Sequence, residues 1–432
     1  MQRLHMRAPG HWINDPNGLI YYKGQYHIFY QYFPYDTTWG RMHWGHAVSK
    51  DLVHYEHKDI ALYPSCTEDQ DGCFSGCSVE KDGRLHLFYT GVRYLDHAPK
   101  NTNCYGEKGF VAAQLLTTSE DGINFPIQNK EVILPSFAPG EVGDAMNTRD
   151  PFVFSCEGSY LMLLGSVKKG QGALLFYKSE DLKNWSFQNI VSTPKMGTIL
   201  ECPNLFCIEN EWYLMYSPME YYHGENHAFV VKVSFDPATC ELEFLEEPHL
   251  LDEGLLLYAP QTFLDENGRQ TMLSWIRMEE PIDGAIGMFT IPRQFVVENG
   301  TLRTKPHENV MQFFDCELPV SKLTAPGQYR LQFSMKEGDT LNLFGYEISM
   351  DAGRLCFDRG RVMGHVLTEK TKVYVAVTEE KVSLNVFLDE HCIETYIGDG
   401  AAVVTHIVYE WQSALRLPEQ KKVALFGIKE YI

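Results

Sequence analysis

Three acidic residues occupy one recurring place in the chain. Asp15 in NDPNG, Asp150 in RDPFVF and Glu201 in ECPNLF each stand seven or eight residues before the turn of an apolar hairpin, at Lys23, Glu157 and Glu209. A lone Asp-Pro-Asn-Gly would be ordinary turn chemistry, because Pro presets its backbone angle and Gly accepts a positive one. Three carboxylates at one repeat position are another matter. Like charges gathered in one pocket are costly, and a purely structural protein has little reason to gather them. A calcium site would need several more oxygen ligands than these stretches offer. Cleavage of a glycosidic bond, by contrast, uses two carboxyl groups flanking the bond.

The elements that must position these acids also repeat. Five stretches read as apolar strand, Gly- or Asn-containing turn, apolar strand: LIYYKGQYHIFYQY, CSVEKDGRLHLFYTG, PFVFSCEGSYLMLLGS, NLFCIENEWYLMYSP and QTFLDENGRQTMLSWI. Between them runs a second phrase, Ser-Lys/Glu-Asp with an aromatic four residues after the Asp, as SKDLVHY, SEDGINF and SEDLKNW, with a weaker echo in SFDP. Units of this kind, repeated radially, make a β-propeller, and five units predict five blades. With the first strand of each hairpin innermost, Asp15, Asp150 and Glu201 meet at one end of the central axis. Ser75 holds the matching place in the second unit, and Gln261, with Tyr258 nearby, in the fifth.

Composition agrees with a mostly β chain of two or three domains: 432 residues, 44% hydrophobic and 13% aromatic. A formal charge of -20 excludes nucleic acid and an anionic membrane as main partners, since both require a basic footprint. No apolar run is long enough for a transmembrane span. The odd count of 11 cysteines, without an apolar leader, reads as reduced thiols of a cytoplasmic protein. Cys73 and Cys77 lack partners at zinc-ligand spacing and read as two small core residues on one face of a strand. HWGH, at 43–46, lacks a third ligand. Neither a metal nor any other cofactor is expected.

WINDPNG with the following YHIFYQYFP, then WGRMHWGHAVSKDL, FSGC, RDP, ECP and YAPQTF, together resemble glycoside hydrolase family 32, the invertases, sucrose-6-phosphate hydrolases and fructan hydrolases. The resemblance implies an all-β fold, a five-bladed β-propeller followed by a C-terminal β-sandwich. It places a catalytic propeller at 1–298, a linker at 299–312 and the sandwich at 313–432, where stretches such as KVYVAVTEEKVSLNVFLD alternate as strands do. By position it implies that Asp15 is the nucleophile, Glu201 the general acid and base, and Asp150 the transition-state stabiliser. The two neighbouring carboxylates should raise the affinity of Glu201 for its proton. Asn14, Gln31, Trp39, Phe74, Ser75 and Arg149 should line the fructose subsite, with Tyr258, Gln261 and Trp275 contributing from the fifth unit. Cys77 stands where the family often has Ser, and the segment after Trp275 is less typical. The implied partner is a small carbohydrate, namely sucrose, sucrose-6-phosphate or short fructans. Arg41, Lys168 and Lys169 are the candidates for a phosphate-reading rim. The alternatives are hydrolysis or fructosyl transfer on short fructo-oligosaccharides, and a non-catalytic sugar-binding propeller. Oligomeric state stays open.

Overall fold

The computed structural model describes residues 4–417 and 423–428; the outermost ends of both expected domains, 1–3 and 429–432, lie outside it, as do 418–422. More than half of the described residues are in strands, with a single short α-helix, Glu308–Phe313. None of their helices is long and apolar enough to cross a membrane.

Each of the five predicted hairpins forms and founds its own sheet. The pairs are His11–Tyr22 with Gln25–Phe33, Gly72–Lys81 with Arg84–Tyr94, Arg149–Cys156 with Ser159–Lys168, Leu200–Ile208 with Glu211–Pro218, and Leu257–Leu264 with Gln270–Ile276. Further strands extend each sheet outwards. The first strand of each hairpin packs on the first strand of the next sheet, and the fifth packs back on the first, so the five sheets close a ring. Ala285–Ile286 seals that closure by pairing in parallel with His11 and Trp12. The Ser-x-Asp phrase ends the third strand of the first three sheets. In each, the Ser hydroxyl accepts from the backbone three residues on (Leu52, Gly122, Leu182), and the Asp carboxylate accepts from the next two amides. This local bonding is why the phrase recurs.

Every inner strand carries a register slip at the same height. The slips fall between Ile13 and Pro16, Phe74 and Gly76, Arg149 and Phe152, Glu201 and Asn204, and Tyr258 and Gln261. Pro16, Pro151, Pro203 and Pro260 sit at or within the slips, where a residue that cannot donate to the ladder is tolerated. The slips correct the expectation that Cys73 and Cys77 share a face. Cys73 packs in the core between the first two sheets and Cys77 in the core between the second and third. One extra residue between them reverses the alternation.

Two further sheets, of six and five strands, follow the ring. They share one core, in which Leu331, Phe333 and Leu384 face Ile348 and Phe357. Part of the 299–312 stretch belongs to the fifth sheet: Glu298-Asn299-Gly300-Thr301 turns the chain back, and Thr301–Pro306 pairs with Arg293–Glu298.

Candidate functional site

The slips deliver the acids. One extra residue at each slip re-aims the side chains beside it, away from the alternation of the strand. Asp150 and Cys202 occupy equivalent slip positions, with φ of 61° and 48°, in the left-handed region that few non-glycine residues adopt. Ala259 matches them in the fifth sheet with φ of 48°. The position equivalent to Asp150 in the fourth sheet is therefore Cys202, not Glu201. Glu201 is in register with Arg149 and Tyr258, one residue earlier. Counting back from the turn agrees, since Asp150 and Cys202 each stand seven residues before Glu157 and Glu209, and Arg149 and Glu201 eight; only the count for Asp15 is disturbed, by a second slip in the first inner strand between Asn17 and Ile20.

The trio nevertheless meets in one cavity of about 370 Å³, whose walls include Asp15, Asp150 and Glu201. The Cys202 thiol lies 3.6 Å from Oδ2 of Asp15 and 3.6 Å from Oδ2 of Asp150. Asp15 accepts from the Ser75 hydroxyl at 2.5 Å and from the Asn14 amide at 2.9 Å, and Trp12 Nε1 holds Asn14 in turn at 2.7 Å. Burial raises the Asp15 carboxyl above its ordinary value, the Ser75 and Asn14 bonds counteract, and the charge of Glu201 adds to the rise. Asp150 accepts from the Cys202 amide at 3.0 Å. Burial pushes Asp150 up to about 7; Arg149 opposes that, while Glu201 and Asp15 reinforce it.

Glu201 is gripped on both oxygens. Arg149 donates to Oε1 through Nε at 3.1 Å and Nη2 at 2.8 Å, and the Tyr258 hydroxyl donates to Oε2 at 2.5 Å. Reasoning from neighbouring carboxylates alone left out these two donors. Asn147 in turn accepts from Arg149 Nη1 at 3.1 Å.

Of the other expected sugar contacts, Asn14, Gln31, Trp39, Phe74, Ser75, Arg149, Tyr258 and Trp275 all line the cavity. Gln261 does not. Its amide donates to the Gly76 carbonyl at 2.8 Å and accepts from the Leu19 amide at 2.9 Å, joining the first, second and fifth inner strands below the cavity floor. At the end of the slip, where the strand regains its register, its side chain joins its neighbours instead of the cavity. Trp12, Tyr105, Asn147 and Cys202 line the cavity and were missed. The first was legible in the WINDPNG stretch itself; Tyr105 carried no repeat signal. No residue of the candidate phosphate rim lines it: Arg41 is 3.4 Å from Asp71, while Lys168 and Lys169 are exposed on a hairpin turn. A second cavity of about 310 Å³, between the fourth sheet and the C-terminal sheets at Tyr213, Lys232 and Val403, holds none of the expected site residues.

The chain is similar to known proteins along nearly its whole length. The pattern described as "Glycosyl hydrolases family 32 N-terminal domain" matches residues 5–306, and "Glycosyl hydrolases family 32 C terminal" matches 302–428. The sucrose-6-phosphate hydrolase of Escherichia coli is 32% identical, over 98% of this chain and 91% of that protein. The raffinose invertase of Escherichia coli is 30% identical, over 94% of this chain and 89% of that protein. Among solved structures, sucrose-6-phosphate hydrolase from Lactobacillus gasseri superposes with a TM-score of 0.84 at 22% identity, covering 100% of this chain and 94% of that one.

Proposed function

The chain belongs to glycoside hydrolase family 32, and from that membership we propose that it is a retaining β-fructofuranosidase that hydrolyses the fructosyl bond of sucrose or sucrose-6-phosphate. The observation that carries the reading is the convergence of Asp15, Asp150 and Glu201, from three different sheets, on one cavity. We read the ring as a five-bladed β-propeller and the last two sheets as a β-sandwich. The catalytic unit is then 1–298 and the sandwich 313–432, and the 299–312 connection lends its strand to the fifth blade. A cytoplasmic location suits a substrate that is short and, in one of its two forms, phosphorylated.

In the mechanism, the Asp15 carboxylate attacks the anomeric carbon of the fructosyl unit. Ser75 and Asn14 hold its two oxygens, which opposes the rise that burial imposes and aims the nucleophile. Glu201 gives a proton to the departing glycosidic oxygen as that bond breaks. In the second step Glu201 takes a proton from water, whose oxygen displaces Asp15 from the anomeric carbon. Two displacements restore the original configuration. Asp150 holds fructosyl hydroxyls more tightly as positive charge develops on the ring, and Trp39 offers the sugar an apolar face. A non-catalytic sugar binder would gain nothing from a nucleophile and an acid facing one cavity.

The test is sugar release from sucrose, sucrose-6-phosphate, short fructo-oligosaccharides and inulin, compared by kcat/KM. Asp15→Asn should leave hydrolysis near background and abolish covalent fructosylation. Glu201→Gln should spare a fructoside with a good leaving group at least tenfold more than sucrose, because such a group needs little protonation. Equal losses on both substrates would remove Glu201 from the acid role.

A further inference from the structure

Between Arg84–Tyr94 and Phe110–Ser119 of the second sheet the chain makes an additional small hairpin, His97–Ala98 with Asn101–Tyr105. It is tied down from several sides. The Cys104 thiol donates to the Trp39 carbonyl at 3.6 Å, Arg41 Nη2 donates to the Thr102 carbonyl at 3.3 Å, and the Tyr94 hydroxyl donates to the Asn103 carbonyl at 3.2 Å. At its base the Asp96 carboxylate accepts from the Lys108 amide at 2.9 Å. The last residue of this hairpin, Tyr105, projects onto the wall of the catalytic cavity. Its ring stands edge-on to Trp39 at 6.3 Å and against Phe110 at 5.1 Å.

Depth assigns the role. Asp150, Gln31 and Ser75, at the closed end of the cavity, are 2–6% exposed, whereas Tyr105 is 37% exposed. A sugar attacked by Asp15 must occupy the closed end, so the group on the other side of the scissile bond points to the mouth. There it meets an aromatic ring whose position is already fixed by its tethers. A pinned Tyr offers a large apolar face for the C–H side of a sugar ring at little cost in side-chain entropy.

We propose that Tyr105 is the platform for the sugar being released, a specificity-determining residue on the leaving-group side of the scissile bond. The proposal rests on the β-fructofuranosidase reading. Since the platform reads a ring face and not a charge, it serves the glucosyl unit with or without a 6-phosphate.

The test compares leaving groups on the full-length chain. Wild type, Tyr105→Ala and Tyr105→Phe are assayed with sucrose, sucrose-6-phosphate and β-fructofuranosyl fluoride, whose fluoride is too small to reach Tyr105. Tyr105→Ala is expected to lower kcat/KM at least tenfold on whichever disaccharide wild type cleaves better, chiefly by raising KM. The loss on the fluoride should be at least fivefold smaller, and Tyr105→Phe should stay within threefold of wild type on the disaccharide. Equal losses on disaccharide and fluoride, or no loss on the disaccharide, would overturn the platform and leave the enzyme reading standing. A wild type that cleaves none of the three would overturn both.

Discussion

Burial, with Glu201 and Asp15 close by, leaves Asp150 at about 7 despite the opposing Arg149, and this has a consequence for stability as well as for catalysis. An unfolded Asp titrates near 3.9, so between about 4 and 7 the folded chain binds a proton that the unfolded chain does not. Unfolding free energy therefore falls as pH rises across that window, and the full penalty is present above about 7. Asp150→Asn keeps an oxygen to accept from the Cys202 amide and removes the charge. The variant should match wild type near pH 4 and be more stable at pH 8, by on the order of 2–4 kcal/mol at about 1.4 kcal/mol per pKa unit. Urea denaturation at pH 4, 6 and 8 reads this directly; a variant less stable than wild type at pH 8 would refute it. Turnover should fall at least a hundredfold with a much smaller change in KM, as for a contact made chiefly in the transition state. If azide instead rescued Asp150→Asn and gave an inverted fructosyl azide, Asp150 would be the nucleophile. At this scale the sequence was informative because Asp15, Asp150 and Glu201 sit in recurrent local phrases. It was silent on the Arg149 and Tyr258 contacts to Glu201, which join residues 52 and 57 apart.

The inner strands explain both what was legible and what was misplaced. Hairpins, turn phrases and their fivefold recurrence are local patterns of alternation and turn chemistry, and each formed where the sequence put it. A register slip has no such signature beyond a proline in four of the five, and none between Phe74 and Gly76, so alternation alone predicts one face for Cys73 and Cys77 and points Gln261 at the sugar. In the structure Gln261 belongs to a set of side chains that join neighbouring inner strands. Asn204 donates to the Pro260 carbonyl at 3.0 Å and accepts from the Thr262 amide at 2.9 Å, and the Cys77 thiol sulfur accepts from the Val153 amide at 3.1 Å. Inner strands of adjacent sheets share no backbone ladder, and these side chains supply the missing partners. Gln261→Leu leaves the Leu19 amide and the Gly76 carbonyl buried without that partner, at a cost of about 1–3 kcal/mol. The expected result is a lowered denaturation midpoint with KM for sucrose within twofold of wild type. A large rise in KM at unchanged stability would return Gln261 to the sugar site.

At the scale of the whole molecule, the ring and the C-terminal sheets are joined by buried charge. His5, near the start of the described chain, meets Asp389 at 2.9 Å and Glu394 at 3.2 Å, the latter 389 residues away in sequence. Burial alone would lower the His5 imidazole, but Cys392, Asp389 and Glu394 outweigh it and hold the ring well above its ordinary value. Arg293, on the fifth sheet, donates to Glu394 at 2.8 Å and to Thr405 at 2.6 Å, and lies 2.9 Å from Asp252. No sequence pattern foretold these partners, because none is local and charged residues are ordinarily expected at the surface. A buried network of this kind is weak grounds for high stability, since desolvation offsets much of its attraction, but removing one member leaves the opposite charges uncompensated. Arg293→Met strips Glu394 and Asp252 of their shared cation and should cost about 3–5 kcal/mol. The loss falls on the contact between the two units and not within either core, so it should also change how the protein unfolds. Wild type should melt in one calorimetric transition, and Arg293→Met in two, with the active site surviving the first if the C-terminal sheets are the less stable unit. A single transition at an unchanged midpoint would mean that the apolar contacts of Val310, Phe314, Phe387 and Tyr396 hold the units together without help from the charges.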